Sequence, residues 1–236
     1  MVKQTARVYE KKLIRAKYWI TNYRVPDHVW PQKDQVYVQC WHGTPLKRLG
    51  YDLETSENAI DSIADIRKKY AMDAEKFNYI LSPSGFASEK FTSAWNLKET
   101  KMEDKVMEIG YPRNDFLINH TQEDIRMIKE KLEIPEDKKV ILYAPTWRDN
   151  QHEAGTGFTY DLNVDFDALR QELGDEYVIL FRVHYLVASK FSFDDYEGFI
   201  YNVSNYDDIN HLYLIADLLI TDYSSVFFDY GILKKP

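Results

Sequence analysis

Gln35-Val-Tyr-Val-Gln-Cys-Trp-His-Gly-Thr-Pro-Leu-Lys47 changes character midway. Its first half is β-branched and aromatic with no breaker, the composition of a buried strand. The second half breaks at Gly43, Thr44 and Pro45, so the strand ends by delivering His42 onto a turn. Thr44-Pro45 is expected to cap and open a helix, with proline at the first helical position, where its missing N–H costs nothing. Ligands of open α/β sheets sit in the crevice at the carboxyl ends of the strands. A histidine there, with glycine beside it and Lys47 about one helical turn on, suits contact with an anion and movement of a proton. A plain loop hydrogen bond is an equally good use of one histidine, so the assignment depends on what else reaches that edge.

The flanking segments repeat the pattern. Phe77-Asn-Tyr-Ile-Leu-Ser-Pro-Ser-Gly85 reads as a strand ending in a turn, between helices expected over residues 59–76 and 86–95. Val106-Met-Glu-Ile-Gly-Tyr-Pro-Arg-Asn-Asp115 is another strand end, with Gly110 and Pro112 forcing a loop. Strand and helix alternating in this way indicate a parallel sheet. Residues 1–25 place Tyr9, Leu13, Ile14, Ala16, Trp19 and Ile20 at roughly helical spacing among Lys3, Arg7, Lys11, Lys12, Arg15 and Lys17. That is the pattern of a basic amphipathic helix, suited to solvent or to an anionic membrane surface.

A second parallel unit follows, and the domains are expected to divide as 1–116 and 117–236. Thr121 and Asp124 resemble a capping box at the head of a helix over residues 121–132, with Asp in place of the usual Glu or Gln. Strands are read in Val140–Arg148, which ends in a polar loop, Tyr177–His184, Phe199–Val203 and Leu218–Ser225, which runs into a Ser-Ser turn, and Val226–Leu233 starts the next helix. Three of these strands end in polar groups: Thr146-Trp147-Arg148, Arg182-Val183-His184 and Thr221-Asp222-Tyr223-Ser224-Ser225. Ser224 and Ser225 are expected to open a helix, where hydroxyls and free N–H groups favour an anion. Asp229, one turn further, suits either ribose hydroxyls or an ion pair.

Bulk properties narrow the function. With 236 residues, 44% of them hydrophobic, the chain buries one large core or two modest ones. A net charge of −8 argues against nucleic acid held by bulk charge. Cys40 is the single cysteine, so no intramolecular disulfide forms, and its place in a strand predicts a buried thiol rather than a nucleophile paired with His42. No apolar run approaches the ~20 residues of a membrane span. Asp194-Asp195 and Asp207-Asp208 read as solvated loops, so neither a metal nor a cofactor is expected. The abrupt ends of the pattern lead us to expect a segment truncated at both ends from a longer enzyme.

Five motifs then fall in order: Trp41-His42-Gly43-Thr44-Pro45-Leu46-Lys47, Gly110-Tyr111-Pro112-Arg113-Asn114-Asp115, Ala144-Pro145-Thr146-Trp147-Arg148, Arg182-Val183-His184 and Thr221-Asp222-Tyr223-Ser224-Ser225. Together, from about Tyr18 onward, they resemble the CDP-glycerol glycerophosphotransferase family, the teichoic acid polymerases and primases of Gram-positive bacteria. The resemblance implies an α/β chain of GT-B type, with two Rossmann-like parallel-sheet domains facing across a cleft. Residues 1–116 would form part of the acceptor-side domain and 117–236 an incomplete CDP-glycerol-binding domain. It also implies two essential histidines, matching His42 and His184. The implied reaction moves glycerol phosphate from CDP-glycerol to a terminal hydroxyl of a lipid-linked glycerol phosphate acceptor, releasing CMP at the inner face of the cytoplasmic membrane. On that basis His42 is the expected base on the acceptor hydroxyl, and Arg148 and His184 hold the diphosphate. Arg182, Thr221, Ser224, Ser225 and Asp229 complete the donor side, with Lys47 and Arg113 on the acceptor or its phosphate. A nucleotide-sugar glycosyltransferase or epimerase of the same layout, and a non-catalytic nucleotide-binding fragment, are the alternatives.

Overall fold

A computed structural model describes residues 6–55, 61–146, 152–153, 157–158, 164–183 and 192–236. The chain divides into two compact units, Met1–Pro112 and Arg113–Pro236, so the division falls inside the Gly110–Asp115 motif. Each unit carries its own four-stranded parallel sheet.

In the first unit β1 (Tyr18–Thr21), β2 (Val36–Gln39), β3 (Tyr79–Ser82) and β4 (Val106–Glu108) lie side by side in chain order. Helices α1 (Ala6–Arg15), α2 (Ile63–Lys76) and α3 (Gly85–Ala94) accompany them. Ser62 and Asp65 form a reciprocal capping box at the head of α2, and Ser84 accepts from the Ala87 amide at the head of α3. The core gathers Trp19, Tyr37, Phe77, Ile80, Phe91 and Trp95, all essentially inaccessible to solvent.

Two local expectations fail here, both for tertiary reasons. Trp19 and Ile20 do not continue the first helix, which stops at Arg15; they belong to β1, paired in parallel with β2. The carbonyls at the helix end, which have no partner within a helix, find one elsewhere. The buried Gln35 amide donates to the Leu13, Ile14 and Ala16 oxygens at 3.0, 3.1 and 2.6 Å, and the Trp19 indole N–H donates to Leu13 O at 2.8 Å. Nor does Thr44-Pro45 open a helix. Both residues are buried in an irregular stretch, followed by a single 3-10 turn at Gly50–Asp52. Gly50 adopts φ +48°, and a Cβ there would fall 2.2 Å from the Ala94 oxygen and 2.4 Å from the Tyr70 ring. Only glycine lets the loop lie this close to α2 and α3.

In the second unit the sheet order is β10 (Leu218–Thr221), β5 (Lys139–Ala144), β8 (Tyr177–Phe181), β9 (Ile200–Asn202), all parallel. A two-residue antiparallel ribbon, β6 (His152–Glu153) with β7 (Gly157–Phe158), stands apart from it. Apolar residues line both faces of the central strands, as expected of a doubly covered parallel sheet. Val140, Leu142, Val178 and Leu180 face one core, and Ile141, Ile179 and Phe181 the other. Covering helices include α4 (Asp115–Asn119), α5 (Gln122–Lys131) and α6 (Phe166–Leu173). The Thr121–Asp124 capping box forms as read, in both directions. The chain runs outward from β5 through β8 to β9, then returns to the other flank of β5 as β10. The strand order therefore reverses between β5 and β10, the place where open α/β sheets bind ligands.

Three main-chain oxygens at and just after the end of α1 accept from a single side-chain amide, that of Gln35. Gln35→Ala is expected to destabilise the first unit by about 1–3 kcal/mol, the range for stranding buried polar partners. Urea unfolding followed by tryptophan fluorescence measures it, and an unchanged midpoint would show that water replaces the amide.

Candidate functional site

Strand β2 presents His42 through the residue before it. Pairing with β1 runs to Cys40, whose amide donates to Thr21 O at 2.7 Å. Cys40 itself is half-buried rather than sealed in the sheet layer. Trp41 then takes a left-handed backbone, φ +50°, which is strained for a bulky residue and needs support from its surroundings. Its amide donates to the Gln39 side chain at 2.9 Å, and its buried indole meets Trp95 edge-on, centroids 4.9 Å apart at 89°. Tyr70 completes the cluster, and burial pushes its phenol up to about 12, so it is uncharged at neutral pH.

The reversal turns His42 out to solvent with its ring stacked on Trp41, centroids 4.2 Å apart. His42 Nδ1 lies 3.1 Å from the Asn22 carbonyl oxygen. A carbonyl only accepts, so Nδ1 carries a proton, and in the neutral ring Nε2 keeps its lone pair with no hydrogen-bond partner among the described residues. An imidazole held in this tautomer is ready to take a proton from a bound hydroxyl. Lys47 is exposed, and no carboxylate lies within ion-pair distance of it among the described residues.

At the switch point of the second unit, the expected residues divide into scaffold and free groups. Thr221 donates its hydroxyl to Ala144 O at 2.7 Å, tying β10 to β5. The Thr146 amide donates to the Asp222 carboxylate at 2.6 Å, and its hydroxyl donates to Asp222 O at 2.8 Å. These bonds lace the two strand ends together. Tyr223 has φ +32°, and the serines follow it, half-buried. Ser224 Oγ accepts weakly from the Val226 amide at 3.4 Å, whereas Ser225 makes no capping bond at the short helix Val226–Tyr230. Its hydroxyl is therefore not committed to the helix.

Arg182 points its guanidinium at two main-chain oxygens, Val203 at 2.9 Å and Tyr206 at 2.8 Å. Burial pulls its pKa below the ordinary arginine value. It holds the turn after β9 in place. Arg113 and Asp229, expected on acceptor and donor sides, are brought onto each other. The Arg113 guanidinium donates to one Asp229 oxygen at 2.8 Å and the Asn114 amide to the other at 2.7 Å. Asn210 donates to the Arg113 carbonyl, and Asp229 is 8% exposed. Sequence reading allowed an ion pair for Asp229 but missed Asn114, which sits inside one of the five motifs, and Asn210, which sits in none. Arg148 and His184 lie outside the described residues. Asp208 caps the helix Ile209–Ile215 by accepting from the Asn210 amide at 2.9 Å. Among the described residues no three His, Cys, Asp or Glu side chains gather as a metal site requires.

Removing the Asp229 carboxylate takes away the acceptor shared by the Arg113 guanidinium and the Asn114 amide. Asp229→Ala is expected to cost about 1–3 kcal/mol of second-unit stability. Thermal unfolding measures it, and an unchanged melting temperature would show that the pair contributes nothing.

Over residues 1–236 the chain matches the family described as CDP-Glycerol:Poly(glycerophosphate) glycerophosphotransferase. It is 47% identical over 225 residues to the teichoic acid poly(glycerol phosphate) polymerase of Bacillus subtilis (strain 168), covering 95% of this chain and 30% of that protein. The teichoic acid glycerol-phosphate transferase of Staphylococcus aureus (strain NCTC 8325 / PS 47) is 43% identical, covering 94% of this chain and 56% of that protein. A solved structure of the wall teichoic acid polymerase TagF, a histidine-to-asparagine variant soaked with CDPG, superposes with a TM-score of 0.90 at 42% identity. It covers 100% of this chain and 56% of that one, so the chain spans between about a third and a little over half of these relatives. With that match across its whole length, the chain belongs to the CDP-glycerol:poly(glycerophosphate) glycerophosphotransferase family.

Proposed function

We propose that this chain is the portion of a teichoic acid enzyme that transfers glycerol phosphate from CDP-glycerol to the terminal hydroxyl of a lipid-linked glycerol phosphate acceptor, releasing CMP. The observation that carries the reading is His42: exposed at a strand end, with Nδ1 engaged by Asn22 O and Nε2 free. The acceptor oxygen attacks the phosphorus that bears the glycerol, and its proton passes to His42 Nε2. The bond from that phosphorus to the bridging oxygen breaks, and CMP leaves with the electron pair. Such a transfer needs alignment and charge stabilisation more than covalent help.

The first unit is proposed as the acceptor side and the second as the donor side. Ser224 and Ser225, at the β5–β10 switch point, would meet the diphosphate, with Arg148 and His184 neutralising its charge. Thr146, Thr221 and Asp222 hold the strand ends that present the serines. Arg182 keeps a neighbouring loop in register, and the Arg113–Asp229 pair fixes the helix that the serines precede. If His42 is the base, His42→Ala loses about 10²-fold or more in turnover while CDP-glycerol affinity stays near the parent value. Ser225→Ala shows the reverse emphasis, with weaker donor binding. CMP release and calorimetric titration measure the two quantities, and a His42→Ala enzyme at near-full turnover would place the base elsewhere.

The protein is further proposed to work against the inner membrane face without spanning it. No helix among the described residues is long and apolar enough to cross a membrane. Around α1, Lys11, Lys12, Arg15 and Lys17 are exposed beside the exposed Val8, Ile14 and Tyr18. Anionic lipid attracts such cations by roughly 1 kcal/mol each near the surface. Repulsion from the −8 net charge is screened beyond ~10 Å at 0.1 M salt. Co-sedimentation with anionic liposomes is expected at low salt and reduced at high salt; no binding at low salt would remove the membrane role.

A further inference from the structure

Beside the loop that follows His42 lies a groove of about 460 Å³ that plays no part in the chemistry above. One wall is the loop Pro45–Leu49. The other is α3, which presents Phe86, Glu89, Lys90 and Ser93 at the i, i+3, i+4 and i+7 spacing of a single helix face. Both walls belong to the first unit, and the loop wall begins three residues after His42.

The lining combines cations with exposed apolar surface. Lys47 has no carboxylate partner among the described residues. Arg48 pairs with Glu54, and Lys90 with its neighbour Glu89 at 2.6 Å. Both pairs lie at the surface, where such pairs contribute little. Leu46 is 42% exposed and Phe86 48%, with the Lys90 ammonium over the Phe86 ring, 5.6 Å from its centroid. Asp52 accepts from the Ser93 hydroxyl at 2.7 Å and retains a second oxygen for a hydroxyl donor. A bare phosphate would leave Leu46 and Phe86 uncovered, and a purely apolar ligand would leave Lys47 unused. A phosphodiester flanked by short polyol carbons matches all three features.

We propose that this groove binds a glycerol phosphodiester segment of the acceptor, one unit back from the hydroxyl that reacts. The inference rests on the transfer reaction proposed above; it locates the acceptor role expected of Lys47 in this groove and adds Arg48, Lys90, Leu46 and Phe86 to it. Binding there holds the penultimate unit against the same loop that carries the base, so the terminal hydroxyl is delivered along the loop toward His42. The same headgroup chemistry occurs in phosphatidylglycerol, so a membrane surface is the competing source of the ligand.

The test is ligand-observed NMR on the intact chain with soluble glycerophosphoglycerol. Inorganic phosphate, CDP-glycerol and phosphatidylglycerol vesicles are run as parallel probes. Glycerophosphoglycerol is expected to bind, to weaken at least about tenfold in the Lys47→Ala/Lys90→Ala double variant, and to recover in the corresponding double Arg variant. CDP-glycerol affinity should not change in either, and matching melting curves check the fold. Equal glycerophosphoglycerol affinity in parent and Ala variant overturns the assignment. So does inorganic phosphate competing as well as the diester, or binding to vesicles alone. Charge-dependent diester binding without any CMP release from CDP-glycerol would keep the groove and remove the transfer reading. Normal CMP release with undiminished diester affinity in the Ala variant would do the opposite.

Discussion

The first unit depends on the left-handed backbone of Trp41 and the aromatic packing that pays for it. A bulky residue at φ +50° survives because its indole is buried against Trp95 and near Tyr70 while His42 stacks on its other side. Were the chain to continue as a strand, His42 would follow the alternation of the sheet. Instead the backbone reverses, the imidazole leaves the layer, and Asn22 O selects its tautomer. The same reversal sends the next residues along α3, where Gly50 permits a contact that no side chain would allow. The exposed imidazole and the groove thus share one structural origin.

The second unit meets a different constraint. Parallel strands that end at a switch point leave polar main-chain and side-chain groups on a common edge, and these must be held before they can hold a ligand. Thr146, Thr221 and Asp222 do that holding, which leaves Ser225 uncommitted. The Arg113–Asp229 pair and its two asparagines act one layer back. They join the start of the unit to the helix after the serines through groups that are largely buried. A polar motif is therefore a mixture of chemistry and scaffold, and the hydrogen-bond partners decide which residue is which.

Several cations of this acidic chain are taken up inside the fold. Several lysines serve as internal donors to main-chain oxygens: Lys76 to Pro26 and Asp27 at 3.0 and 2.9 Å, Lys235 to Leu214 and Ala216 at 2.7 and 2.9 Å. Lys138 does the same for Gly174 and Asp175. Burial lowers the pKa of Lys76 and Lys235, but their carbonyl partners give the ammonium groups acceptors inside the fold. Against that background Lys47 stands out as an exposed cation with no ion-pair partner among the described residues.

Local signals carried the alternation of strand and helix, the parallel class, the capping box at Thr121 and the switch from apolar to polar at each strand end. They did so because periodicity and capping act within a turn or two of the chain. The same signals placed His42 at a strand terminus and grouped the motifs that resemble the family. Tertiary structure decided the rest through partners far away in sequence. Gln35 ended α1 and released Trp19 to a strand, across 22 residues to Leu13. Asp229 took Arg113 from 116 residues away. Gly50 replaced an expected helix with a packed loop, and Trp95 allowed Trp41 its reversal. No local propensity encodes such pairings, because each is stable only when both partners are already in place.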